Sequence, residues 1–127
     1  TLYGDAGFDP QRFERQRFGL ELEYLRNFSG RDIAQRSLDE MQGIAPLDPA
    51  QARGWLDTMQ RSFPDVRPGD RLLGTHDPER GARFYINGRL LSAVDDPAFS
   101  ARFFGIWLSP RTSQPRLREA LIAGATR

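Results

Sequence analysis

Residues 82–107 constrain this chain more than any other stretch. They read Ala-Arg-Phe-Tyr-Ile-Asn-Gly-Arg-Leu-Leu-Ser-Ala-Val, then Asp-Asp-Pro-Ala-Phe-Ser-Ala-Arg-Phe-Phe-Gly-Ile-Trp. Asn87-Gly88 stands between two apolar runs. Both residues tolerate positive φ, so the pair predicts a two-residue type I′ hairpin turn. Phe84 and Ile86 then fall on one face of the first strand, with Arg83 and Tyr85 on the other. Asp96-Pro97 opens a helix: the aspartate carboxylate accepts from the free first-turn amides, and proline at N1 gives up no amide the helix would use. Phe99, Phe103, Ile106 and Trp107 follow at helical spacing and make a broad apolar face. A strand pair leading straight into so aromatic a helix predicts a sheet with helices packed across it.

The remaining chain supplies parts for both layers. Leu2-Tyr3 reads as the tail of a strand. Gly4, Gly7 and Pro10 mark a loop, and Arg12, Glu14, Arg15 and Arg17 a solvated run. Residues 18–26 alternate, with Phe18, Leu20, Leu22 and Tyr24 on a dry face and Glu21 and Glu23 on a wet one. Ser29 with Asp32 signals a helix start, and Ile33, Ala34, Ser37, Leu38 and Met41 share one stripe until Gly43 ends it. Asp48-Pro49 opens a further helix, with Ala52, Trp55, Leu56, Met59 and Phe63 toward the core and Pro64 as its stop. Residues 65–69 predict a turn, 71–75 a short strand and 76–81 a polar turn carrying His76. After the aromatic helix, residues 109–113 form a loop. A short last helix offers Leu117, Ala120 and Leu121 to the core, with Gly124 after it as C′.

Composition narrows the chemistry. The 127 residues suffice for one core. No run approaches the ~18 apolar residues of a membrane span, and the opening Thr-Leu-Tyr-Gly-Asp has no leader-like pattern. No cysteine is present, which excludes thiol catalysis and cysteine-held zinc. All 18 basic residues are arginine, so no lysine Schiff base can form. The net charge is +1 with the signs interspersed, which predicts no nucleic-acid partner. His76 is the only histidine and reads as a turn residue on the surface. With Asp77 and Glu79 it makes no recognisable metal set, and no phosphate-cradling glycine loop or nucleophile triad occurs. No metal and no cofactor are expected. Asp95-Asp96 reads as a helix start, where the dipole favours acid, rather than as a catalytic pair. Arg26, just past an apolar strand face, carries a planar fork that could hold a carboxylate.

Taken together, four stretches resemble the bacterial branch of the chalcone isomerase-like family. They are Leu-Glu-Tyr-Leu-Arg-Asn-Phe-Ser-Gly-Arg-Asp-Ile-Ala-Gln-Arg-Ser-Leu-Asp-Glu-Met, Phe-Pro-Asp-Val-Arg-Pro-Gly-Asp-Arg-Leu, Ala-Arg-Phe-Tyr-Ile-Asn-Gly-Arg-Leu-Leu, and Asp-Asp-Pro-Ala-Phe-Ser-Ala-Arg-Phe-Phe-Gly-Ile-Trp-Leu-Ser-Pro-Arg-Thr-Ser. The resemblance implies an α+β fold, an antiparallel β-sheet with α-helices packed on one face, as a single domain over residues 1–127. It places the family's first strands, with a ligand-gripping arginine, upstream of Thr1. It also implies a periplasmic or exported protein. Plant relatives isomerise chalcones, and other relatives bind fatty acids between sheet and helices. Aligning Phe28-Ser29-Gly30 with the enzymes' Leu-Thr-Gly sets Ile33 against their active-site tyrosine and Glu40 against an asparagine. Ile106 falls near their active-site threonine. An isoleucine cannot polarise a ketone, so the resemblance implies a fold without the plant enzymes' catalytic residues. The expectation is a protein that binds a small apolar or acyl, fatty-acid-like ligand through Tyr24, Arg26, Phe103 and Trp107. Two alternatives remain: an intramolecular lyase acting on an enone, with Tyr85, Tyr24 or Glu40 as general acid, and an interaction domain without a ligand.

Overall fold

A computed structural model of the chain describes residues 1–124. Five strands, β1 (Leu2–Gly4), β2 (Phe18–Glu23), β3 (Arg71–Asp77), β4 (Gly81–Ile86) and β5 (Arg89–Val94), pair in sequence order as one antiparallel sheet. Two helices, α1 (Gly30–Ile44) and α2 (Pro49–Ser62), intervene between β2 and β3. Two more, α3 (Pro97–Leu108) and α4 (Pro115–Ala123), follow β5. The fold is therefore α+β, as the sequence predicts.

Alternation along the strands sorts the two faces. In one cross-strand row Leu20 lies between Leu2 and Gly74, and Gly74 faces Phe84. These side chains meet the helix layer. Phe103 packs edge-on against Phe84 with ring centroids 5.2 Å apart, and Phe104 against Phe18 at 5.0 Å. Phe104 comes this close because Gly74 opposes it: a Cβ there would sit 2.9 Å from the ring. The hairpin turn forms as predicted, with Asn87 at φ 48° and Gly88 at φ 84°. The three predicted caps also form, Ser29, Asp48 and Asp96 each accepting a first-turn amide through the side chain.

Four local expectations change. β3 runs on to Asp77 instead of ending at Thr75, and His76 points inward with 3% exposure rather than sitting in a surface turn. Strand alternation puts Leu72, Gly74 and His76 on the same side, and both ring nitrogens find partners there, which offsets the cost of burial. α1 continues past Gly43 to Ile44. Residues 10–15 form a 3-10 turn, capped by Asp9 through the Gln11 amide, and Phe13 from it packs on Phe18. In α4 only Leu121 is buried. Leu117 is 40% exposed, Ala120 is exposed, and Gly124 closes the helix at φ −92° without a left-handed conformation.

Candidate functional site

A groove of about 530 Å³ is framed by three separate elements, the end of β2, the outer face of α1, and the corner between α3 and α4. Alternation in β2 carries Leu22 to its floor, and Tyr24, the residue just past the strand's end, lies beside it. Helical spacing brings Ile33, Ser37 and Glu40 of α1 to one wall, and Ile106, Trp107 and Leu117 form the opposite wall. A second cavity of about 40 Å³ lies deeper, beneath Phe103 and Phe104, and shares Leu22, Tyr24, Ile33, Ser37 and Trp107 with the groove.

Tyr24 is held at the neck between the two spaces by its backbone, which bonds Asp70 O at 2.9 Å and accepts from Gly69 N at 2.8 Å. Its ring meets Phe28 edge-on at 5.8 Å. Burial holds the Tyr24 hydroxyl above the usual phenol range, so it is a neutral O–H at ordinary pH. Arg26 lies over the Phe28 ring, 5.2 Å from its centroid, in cation-π geometry. Arg36 lines the same mouth, and among the described residues neither guanidinium forms an ion pair. Across the groove the Ser113 hydroxyl donates to Glu40 and ties α1 to the α3–α4 corner. Thr112 braces that corner by donating to Ile106 O at 2.6 Å.

The structure brings three of the four expected ligand residues, Tyr24, Arg26 and Trp107, to the groove, and places Phe103 in the deeper cavity. Ile33, Glu40 and Ile106, the positions set against the plant enzymes' functional residues, all line the groove as well. Tyr85 does not join them. It sits opposite Leu73 on the other face of the sheet, so it is no general acid for this groove. Ser37, Arg36 and Leu117 were not expected at the site. Ser37 carried a signal, being the one hydroxyl in the apolar stripe of α1.

Two other places were candidates for chemistry. His76 Nε2 lies 2.9 Å from Glu14 O and Nδ1 lies 2.5 Å from Ser100 Oγ, with Ser100 fully buried, so the ring is a core tie and not a free base. Among the described residues no three His, Asp or Glu side chains converge on a metal position. On the open sheet face, above Gly19 and Thr75, lies a concavity of about 640 Å³. Two of its arginines are already engaged: Arg17 pairs with Asp77 at 3.6 Å and Arg83 with Asp95 at 3.3 Å.

Comparison with known proteins places the chain. A sequence profile described as chalcone isomerase-like matches residues 9–123. An uncharacterized protein of Haemophilus influenzae is 31% identical over 103 residues, covering 81% of this chain and 50% of that protein. The crystal structure of a fatty-acid binding protein of Arabidopsis thaliana has a similar fold. Its TM-score is 0.61 at 12% identity, over 81% of this chain and 53% of that one. The chain thus spans about half the length of the relatives it matches. With the profile running from the 3-10 turn to the end of α4, the chain belongs to the chalcone isomerase-like family.

Proposed function

We propose that the groove between β2, α1 and the α3–α4 corner binds a small apolar or acyl, fatty-acid-like ligand, and that the chain does not carry out the plant enzymes' isomerisation. The observation that carries this reading is the wall composition: Leu22, Ile33, Ile106, Trp107 and Leu117 surround a concavity large enough for a small ligand, with Arg26 and Arg36 at its mouth. Apolar walls with a few polar groups are what small-molecule sites present. The guanidiniums suit an acyl carboxylate held near solvent, where its charge keeps its hydration. The fold likeness to a fatty-acid binding protein favours the same ligand class. Against catalysis stand Ile33 and Ile106, which offer no donor at the two positions set against the plant enzymes' tyrosine and threonine.

The test is native mass spectrometry of the full-length protein, first as purified and then with dodecanoate, together with thermal shift. A bound acyl mass and a raised Tm are expected. Absence of both removes the reading. Turnover of a chalcone, lost on substitution of Tyr24 or Glu40, would replace it with the lyase alternative.

A further inference from the structure

We propose that the hydroxyls of Tyr24 and Ser37 form a polar subsite at the neck of the groove, which takes the neutral carbonyl oxygen of a ketone or ester whose short end enters the deeper cavity. The inference rests on the groove being a ligand site and adds what the ligand must carry. Ser37 is 8% exposed, and Tyr24 is half-buried at the end of β2. Among the described residues neither hydroxyl has a hydrogen-bond partner, although serines and threonines elsewhere on these helices do find one: Thr58 and Ser62 of α2 each bond the carbonyl four residues back. Ser37 does not turn back to its own helix in this way.

Neither oxygen is sealed from solvent, since among the described residues Ser92 Oγ is the one buried side-chain oxygen without a partner, so a ligand carbonyl would take the place of water on these hydroxyls. Both residues line the groove and the deeper cavity alike, so both sit where a ligand spanning the two would pass. Two O–H donors suit the two lone pairs of one carbonyl oxygen. The surroundings select a neutral acceptor. Leu20, Leu72, Phe84, Phe103 and Phe104 line the deeper cavity, and Arg26 and Arg36 line only the outer groove. A carboxylate at the neck would lose its hydration without a cation to replace it. The same desolvation that raises the Tyr24 hydroxyl acts on any anion placed beside it. Size limits the buried end: about 40 Å³ accommodates roughly two or three heavy atoms when a water needs about 10–15 Å³ by the same measure. An acetyl or propionyl end fits, and a long chain must lie in the outer groove.

The test compares 2-octanone, octane and octanoate on the full-length protein, read by tryptophan fluorescence and checked by calorimetry, with Tyr24→Phe and Ser37→Ala beside the unsubstituted chain. Both substitutions keep the shape and remove only the oxygen. 2-Octanone should bind the unsubstituted protein more tightly than octane does, and each variant should weaken 2-octanone by about tenfold while leaving octane unchanged. Equal binding of 2-octanone by all three proteins overturns the polar subsite and leaves the groove standing. Octanoate binding that depends on Tyr24 and Ser37, with 2-octanone indifferent to them, overturns the neutral-carbonyl assignment. If no probe binds any form, the groove reading falls and this inference with it. Should a variant fail to fold, the preference of the unsubstituted protein for 2-octanone over octane decides the matter alone.

Discussion

Trp55 and Asp96, 41 residues apart in sequence, are joined by a hydrogen bond of 3.2 Å from the indole Nε1 to Oδ2 of the carboxylate. The other oxygen, Oδ1, caps α3 by accepting from Phe99 N at 3.1 Å. One side chain therefore starts the aromatic helix and pins α2 to it. Trp55 is 8% exposed and meets Phe99 edge-on at 5.6 Å, so an indole N–H without its partner would be left buried.

Asp96→Ala should cost about 2 kcal/mol of stability, about 1 for the lost cap and about 1 for the stranded indole. Asp96→Asn keeps an oxygen for the Phe99 amide but sets an NH2 against the indole N–H, so it should cost about half as much. Urea unfolding of both variants against the unsubstituted protein measures the difference. Equal losses would mean that the Trp55 bond and the cap contribute little beyond charge.

His76 ties three segments together and makes stability depend on pH. A backbone carbonyl can only accept, so Nε2 carries the proton toward Glu14 O and Nδ1 accepts from the Ser100 hydroxyl. Burial holds the His76 pKa below the usual imidazole range. The bond to Glu14 O and the charges of Asp77 and Glu14 push the other way without overcoming it. As pH falls, the unfolded chain takes up the proton first, near pH ~6.5. The neutral ring's contribution is thus complete above ~6.5 and is lost as pH falls through the folded-state pKa. His76→Asn should be less stable than the unsubstituted protein at pH 8, with the gap narrowing by pH 5.5. Urea midpoints at the two pH values check this, and a gap that widens in acid would refute it.

What the sequence made legible was local. The turn at Asn87-Gly88 and the caps at Ser29, Asp48 and Asp96 each depend on residues within three or four positions, and each forms as read. The burial of His76 depends on Glu14, 62 positions away, and Ser100, 24 away, so no window around His76 could reveal it. The site was legible where it coincided with strand alternation, at Tyr24, and with helical spacing, at Phe103 and Trp107. Ser37 and Leu117 were read as core because their stripes point at neighbouring helices. Only the gap left where α1, α3 and α4 diverge turns them into walls of a groove. Tyr85 shows the converse: its hydroxyl suggested an acid, while the alternation already assigned to its strand put it on the far face.

Two glycine substitutions should move stability in opposite directions. At Gly74 a Cβ would lie 2.9 Å from two atoms of the Phe104 ring, which is itself hemmed in by Phe18 at 5.0 Å and Phe103 at 5.2 Å. Gly74→Ala should cost about 1–3 kcal/mol by overpacking. Gly54 lies inside α2 with nothing within 4 Å of its Cβ position, so Gly54→Ala should stabilise by up to about 1 kcal/mol through helix propensity. Thermal unfolding of the two variants, side by side, gives both signs in one experiment.

The two tryptophans report on the groove separately. Trp107 lines both the groove and the deeper cavity, whereas Trp55 packs between α2 and α3 on Phe99 and lines neither. An apolar ligand entering the groove should displace water from the Trp107 indole and shift its emission to the blue, while Trp55, already buried, stays constant. Titration with dodecanoate should therefore change fluorescence in the unsubstituted protein and in Trp55→Phe, but not in Trp107→Phe. Truncation to Trp107→Ala should also weaken binding by about tenfold, since it removes most of an aromatic wall worth at least 1.4 kcal/mol of contact by roughly 25 cal/mol per Å² of apolar surface. A response that survives in Trp107→Phe would place the ligand elsewhere, and the concavity above Gly19 and Thr75 would then be the next site to probe.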